Sequence, residues 1–279
     1  MSRQLIGRAL VKFYPAEVQH TRGNELIGTL LDAGDASTRA FLANAASLAK
    51  SGLSERARQE LRRPVGQILV GALCWAAVLS AMSVVVEAIG NSVMWGGTIF
   101  SFGNDPETII DMYVLPVLIL ALFTSGRNRT TGLLGLLRVA MRLHQSSMIS
   151  LADFLITIPV PAVGFGLLAI RPRSIPHAGR YLWPIPAACL AFYWSTLLGQ
   201  HSGIGRLTPI LAAAVLLPAA PALALGLGIE WLLQGIGYLT YPGGDGYTLW
   251  TVEFLACLPV VLLLSAACRQ AAKRPARAM

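Results

Sequence analysis

The sequence predicts an all-α fold: a polytopic integral membrane helix bundle preceded by a small cytosolic helical domain. Three observations carry that expectation. Residues 65–89 run apolar with one charge, Glu87, near the far end, and a helix rising about 1.5 Å per residue needs about twenty such residues to cross a hydrocarbon core roughly 30 Å thick. Only 13% of the chain is charged against 54% apolar, where a soluble domain carries roughly a quarter charged residues. The cations gather at the two ends of the apolar part, Arg56, Arg58, Arg62 and Arg63 before it and Arg269, Lys273, Arg274 and Arg277 after it. That is the positive-inside pattern, and it sets both termini in the cytoplasm of a multi-pass protein of the cell membrane. The net charge of +8 therefore orients the chain in a bilayer; a nucleic-acid partner would need the cations on one folded face. The chain divides into residues 1–63, a cytosolic helical domain and connector, and residues 64–279, the bundle with a short basic tail.

In the first part, Leu5, Ile6, Ala9, Leu10 and Phe13 share one helical face, and Tyr14-Pro15 ends that helix, because proline lacks the backbone donor and suits a following first turn. A second helix is expected to about Ala33, burying Val18, Leu26, Leu30 and Leu31, with Gly34 as a left-handed terminator. Asp35 or Ser37 caps a third helix carrying Phe41, Leu42, Ala45 and Leu48, and residues 54–63 form a separate charged connector. Three helices this short are marginal alone, so this domain is expected to lean on the membrane or on a protein partner. The N-terminal residues lack the compact apolar core of a cleaved signal, which leaves residues 65–89 as the expected insertion signal.

The runs Phe13-Tyr14-Pro15, Gly23-Asn24-Glu25-Leu26 and Leu30-Leu31-Asp32-Ala33-Gly34 resemble the N-terminal segment of a group of actinobacterial multi-pass membrane proteins. The pattern there often has an Arg-Tyr pair ahead of the glycine, where this chain has Thr21-Arg22. The resemblance covers roughly the first sixty residues and implies a cytosolic helical head on a run of transmembrane helices. It implies no reaction and no catalytic residue.

Within the bundle, Ala72, Ala76 and Ser80 repeat at the interval that lets helices approach closely in lipid, serving contact within the chain or a dimer face. Residues 91–108, with Trp95, Gly96, Gly97, Gly103 and Asn104, form an external loop, and residues 109–125 return to Arg127 and Arg129. Residues 131–147 carry Arg138 and Arg142 one turn apart; the reading taken is a basic amphipathic helix lying on the inner surface. Residues 148–170, 182–199, 207–233 and 248–268 complete about six spans, at the expense of placing Arg171, Arg173 and Arg180 outside. The rival count is about eight: the Arg138 helix crosses, and Pro218-Ala219-Ala220-Pro221 splits residues 207–239 into two.

Ionisable residues at bilayer depth are functional candidates by default. Glu230, in the glycine-rich run Gly226-Leu227-Gly228-Ile229-Glu230-Trp231, is the foremost, as a proton or cation carrier, an arginine partner, or a helix-end residue at the outer interface. Arg138 and Arg142 are the other two candidates. Glu87, Asp111, Asp153 and Glu253 fall near expected helix ends and read as structural. His20, His144, His177 and His201 are scattered without metal-ligand spacing. Cys74, Cys189, Cys257 and Cys268 lie in or beside apolar segments as packing residues. Ser202-Gly203-Ile204-Gly205 beside His201 lacks a second histidine on a nearby span, so no catalytic residue is assigned. No phosphate-cradling Gly-x-x-x-x-Gly-Lys-Ser/Thr loop is present, and neither cofactor nor metal is expected. Two functional readings follow. The favoured one is a non-enzymatic regulatory or accessory membrane subunit whose residues 1–63 bind a protein partner, as a homo- or hetero-oligomer. The other is a permease subunit driven by a separate ATPase, motivated by prolines 159, 161, 209, 218 and 221, with the 131–147 helix as motor contact. The lack of an evident pair of buried charges favours the first.

Overall fold

The computed structural model describes residues 3–94, 106–145, 158–171, 182, 184–188, 203–239 and 247–273. Among these residues every regular element is helical. Outside them lie the loop with Trp95, Gly96, Gly97, Gly103 and Asn104, the side chains of Glu87 and Glu253, and Asp153, Arg173, Ser174, His177, Arg180, Cys189 and His201, together with most of the 182–199 segment and the tail arginines.

Helices α1 (Arg3–Val11), α2 (Ala16–Ala36) and α3 (Thr38–Leu61) form the N-terminal domain. Leu30, Phe41 and Ala45 are its buried centre, with Ile6, Leu10 and Leu48 packed against them. Pro15 at φ −54° and ψ 150° starts α2. The terminator of α2 is not Gly34, which is helical; Ser37, extended at φ −172°, ends α2 and caps α3 by accepting the Ala40 N–H. Nor is there a separate connector, because α3 runs unbroken through Gly52. A side chain at Gly52 would press on the Tyr14 ring at 2.8 Å, so the glycine makes room for the α1–α2 corner instead of ending a helix. Arg56, one turn on, donates to the Tyr14 and Lys12 carbonyls and fixes that corner. Leu42, expected in the core, is exposed.

Helix α4 (Val65–Met94) is the centre of the larger part. Its window Val65–Val86 (22 residues, mean hydropathy 2.3) is long and apolar enough to cross a membrane, and 67% of it is buried inside the protein. Around it stand α5 (Pro106–Ile109), a π-helical turn (Ile110–Val114) and α6 (Leu115–Thr124) as one rod, then α7 (Asn128–Gln145), α8 (Pro159–Ile170), α9 (Gly203–Leu216), α10 (Pro221–Leu239) and α11 (Tyr247–Lys273). Trp75 of α4 meets Phe123 edge-on at 5.0 Å, in a core that includes Leu79, Ile119, Phe165, Leu216 and Trp231. Gly126, at φ 85°, turns α6 into α7, with Arg127 N–H reaching back to the Leu122 carbonyl. This is a glycine C-cap that only a left-handed residue makes cheaply.

Two expectations are corrected here. Residues 207–233 are not one helix: Leu217–Ala220 turn between α9 and α10, held by Ala219 and Ala220 N–H on the Leu216 carbonyl. The prolines offered as breaks mostly delimit helices, Pro159 and Pro221 as first residues and Pro218 in the turn, while Pro209 alone of the five stands well inside one. Small residues do seat neighbouring helices. A side chain at Gly226 of α10 would stand only 2.5–3.1 Å from Trp75 and from the Ala72 and Ala76 backbone, so the α4 stripe at Ala72 and Ala76 serves contact within the chain. Helix α10 runs unbroken through the glycine-rich run 226–231.

Candidate functional site

The π-helical turn and a proline create the site's first half. Leu115 N–H bonds the Ile110 carbonyl, skipping Asp111's nearer partner position, and Pro116, next in line, has no N–H to give. The Asp111 carbonyl is thereby left without its helix donors, a local deviation of the kind found at functional sites. Arg138 of α7 fills the vacancy: its Nε donates to the Asp111 carbonyl at 3.3 Å and to Asp111 Oδ1 at 3.1 Å. Arg142, one turn further, donates to Oδ2 at 3.0 Å. Asp111, read as a structural helix-end residue, is instead a buried hub for both candidate arginines. Arg138 Nη2 is buried without a hydrogen-bond partner.

Arg138 is 3% exposed, whereas Leu133 and Leu137, turned away from it around the same helix, are 57% and 50% exposed. Helix α7 is therefore amphipathic with its polar face inward. The helix expected on the inner surface over residues 131–147 turns its arginines outward; Arg138 is instead enclosed within the protein and Arg142 mostly so. What lets α7 in is glycine: at Gly132 and Gly135 any side chain would overlap the Ala169 backbone or the Phe165 ring of α8.

The second half is on α10. Glu230 lies mid-helix and buried, not at a helix end. Its Oε1 accepts hydrogen bonds from Gln234 Nε2 at 3.1 Å and Ser83 Oγ at 3.4 Å, and Gln234 also donates to Ser83 Oγ at 3.2 Å. No ion pair joins Glu230 to Arg138 or Arg142 among the described residues; both arginines pair with Asp111. The structure thus brings Arg138 and Arg142 together on Asp111 and sets Glu230 in a second polar group with Ser83 and Gln234, both lying against α4. Sequence reasoning missed Asp111, Ser83 and Gln234. Gln234 was within reach, four residues after Glu230 and so on the same face, and Pro116 was the signal for Asp111. No protein-family model, curated protein or solved structure matches this chain.

Proposed function

We propose that the chain is a polytopic integral membrane protein, non-enzymatic and of the transport class, whose buried charge cluster couples to a moving proton or cation. The observation that carries the reading is an inverted partition of side chains: Leu137 and Leu263 stand 50% and 72% exposed while Asp111, Arg138 and Glu230 are enclosed. In water this arrangement loses about 1.5–3 kcal/mol for each large apolar side chain left outside, and several kcal/mol more for each ion taken in. In hydrocarbon the apolar exterior costs nothing and charges must turn inward and pair. The outward leucines and valines of α4, α6, α7, α8, α9 and α11 make such an exterior.

An eight-crossing topology with both termini cytoplasmic fits this reading. It takes α7 across, puts the 217–220 turn on the cytoplasmic side beside the end of α3, and leaves Arg127, Arg129 and Arg171 inside, as the charge rule requires. The accessory-subunit reading drew its preference from a bundle without paired buried charges; Asp111 with Arg138 and Arg142 removes that ground. The test is flux. Protein reconstituted into vesicles containing a pH-sensitive dye, with a potassium gradient and valinomycin to impose a potential, is expected to acidify the lumen, and Glu230→Gln to lose at least about tenfold of the rate. Wild-type vesicles no faster than protein-free ones, both with the pH dye and with a sodium-sensitive dye under the same imposed potential, would discard transport and return the accessory reading.

A further inference from the structure

Helix α3 ends against the bundle through a carboxyl group. Glu60, in its last turn and 7% exposed, accepts the backbone N–H of Ala222, second residue of α10, at 3.3 Å. Beside it Arg269 of α11 donates to the Arg63 carbonyl at 3.2 Å, so α3, α10 and α11 meet at one point. Among the described residues no cation pairs with Glu60. The charged groups on the elements around it are Arg56, one turn back in α3, with Glu55 and Arg58 beside it, Arg62 and Arg63 just past α3, and Arg269 of α11; α10 offers only backbone amides until Glu230, about two turns on. A carboxylate here has one first-turn amide of α10 and the unbonded charge of Arg63 to set against its burial, whereas a neutral carboxyl accepts the same bond through its carbonyl oxygen with no charge to desolvate.

We propose that Glu60 is a pH-sensitive latch between the N-terminal domain and α10, closed while its carboxyl is neutral and loosened when it ionises. Burial pushes the Glu60 carboxyl up from 4.5 to about 7, against the opposing pull of the Ala222 N–H and Arg63. The docked value lies above the free one, so docking is fully favoured below about 4.5, weakens as pH rises toward about 7, and levels off beyond. Because α10 also carries Glu230, loosening its first turn reaches the charge cluster. The latch stands apart from the transport reading and is tested without flux.

Hydrogen exchange of the full chain in lipid nanodiscs, corrected for intrinsic chemistry, measures it in peptides covering residues 56–63 and 222–226. Between about pH 5.5 and pH 7.5 the opening of both is expected to rise about tenfold in the wild type, with α7 peptides flat. Glu60→Gln, a neutral isostere, is expected to stay closed across the range. A flat wild-type profile, a rise shared by α7, or a Glu60→Gln profile parallel to the wild type would each overturn the latch. The wild-type titration decides the matter even if the variant fails to fold.

Discussion

Asp111 balances two arginines, and their unequal burial determines what its loss does. Arg142 is partly open to its surroundings, but Arg138 is enclosed and already has one nitrogen without a partner. Asp111→Ala strands that guanidinium, and removing one member of a buried pair costs about 3–5 kcal/mol. The paired replacement Asp111→Leu with Arg138→Met leaves no stranded charge and is expected within about 1 kcal/mol of wild type, since shape-matched apolar pairs substitute well for buried ions. Thermal unfolding of the two variants in micelles separates them, and equal losses would show that the charges contribute little beyond their packing. Arg138, Arg142 and Glu230 were legible as charges interrupting apolar runs. Which way the arginines face was not. A one-turn spacing says that two residues share a face; whether that face meets solvent or core depends on what the solvent is, and Leu133 and Leu137 decide it only once their exposure is known.

Helix boundaries were legible where residues 65–89 and 109–125 supply long apolar runs, and less so where glycine or proline stands inside a pattern. Gly52 reads locally as a break, yet α3 continues because Tyr14, distant in sequence, needs the space. Pro218 and Pro221 bracket a real turn, while Pro116 marks a π-helical deviation within a rod that continues. Glycine's role in helix contact makes a controlled prediction for α7 and α8. A methyl at Gly132 would overlap the Ala169 backbone, which has no rotamer to yield, whereas at Gly166 nothing lies within 4 Å. Gly132→Ala is expected to destabilise by about 1–3 kcal/mol as overpacking. Gly166→Ala should gain up to about 1 kcal/mol from helix propensity. Guanidinium or thermal midpoints of the two variants check the contrast, and a tolerated Gly132→Ala would mean that α7 and α8 are not in close contact.

At the scale of the whole molecule, the hydrogen bond from Ala222 to Glu60 links span number to domain position. The end of α3 and the start of α4 are separated only by Arg62, Arg63 and Pro64, so the turn before α10 sits at the level where the chain enters α4. A six-span arrangement with residues 207–233 as one crossing puts that turn in mid-bilayer; the eight-crossing arrangement puts it in cytosol. The two part at accessible thiols. In a background without native cysteines, Ala219→Cys and Ser174→Cys are each expected to resist a membrane-impermeant maleimide added to intact cells and to react after permeabilisation. Labelling of Ser174→Cys from outside would restore the six-span path for the preceding helices, and labelling of Ala219→Cys from outside would invert α10 and separate Glu60 from the cytosolic side. Protection alone is ambiguous for a half-buried site. Reaction on permeabilisation removes the ambiguity, because a turn held in hydrocarbon stays unreactive on both sides, and the level of Ala222 then fixes that of Glu60 with it.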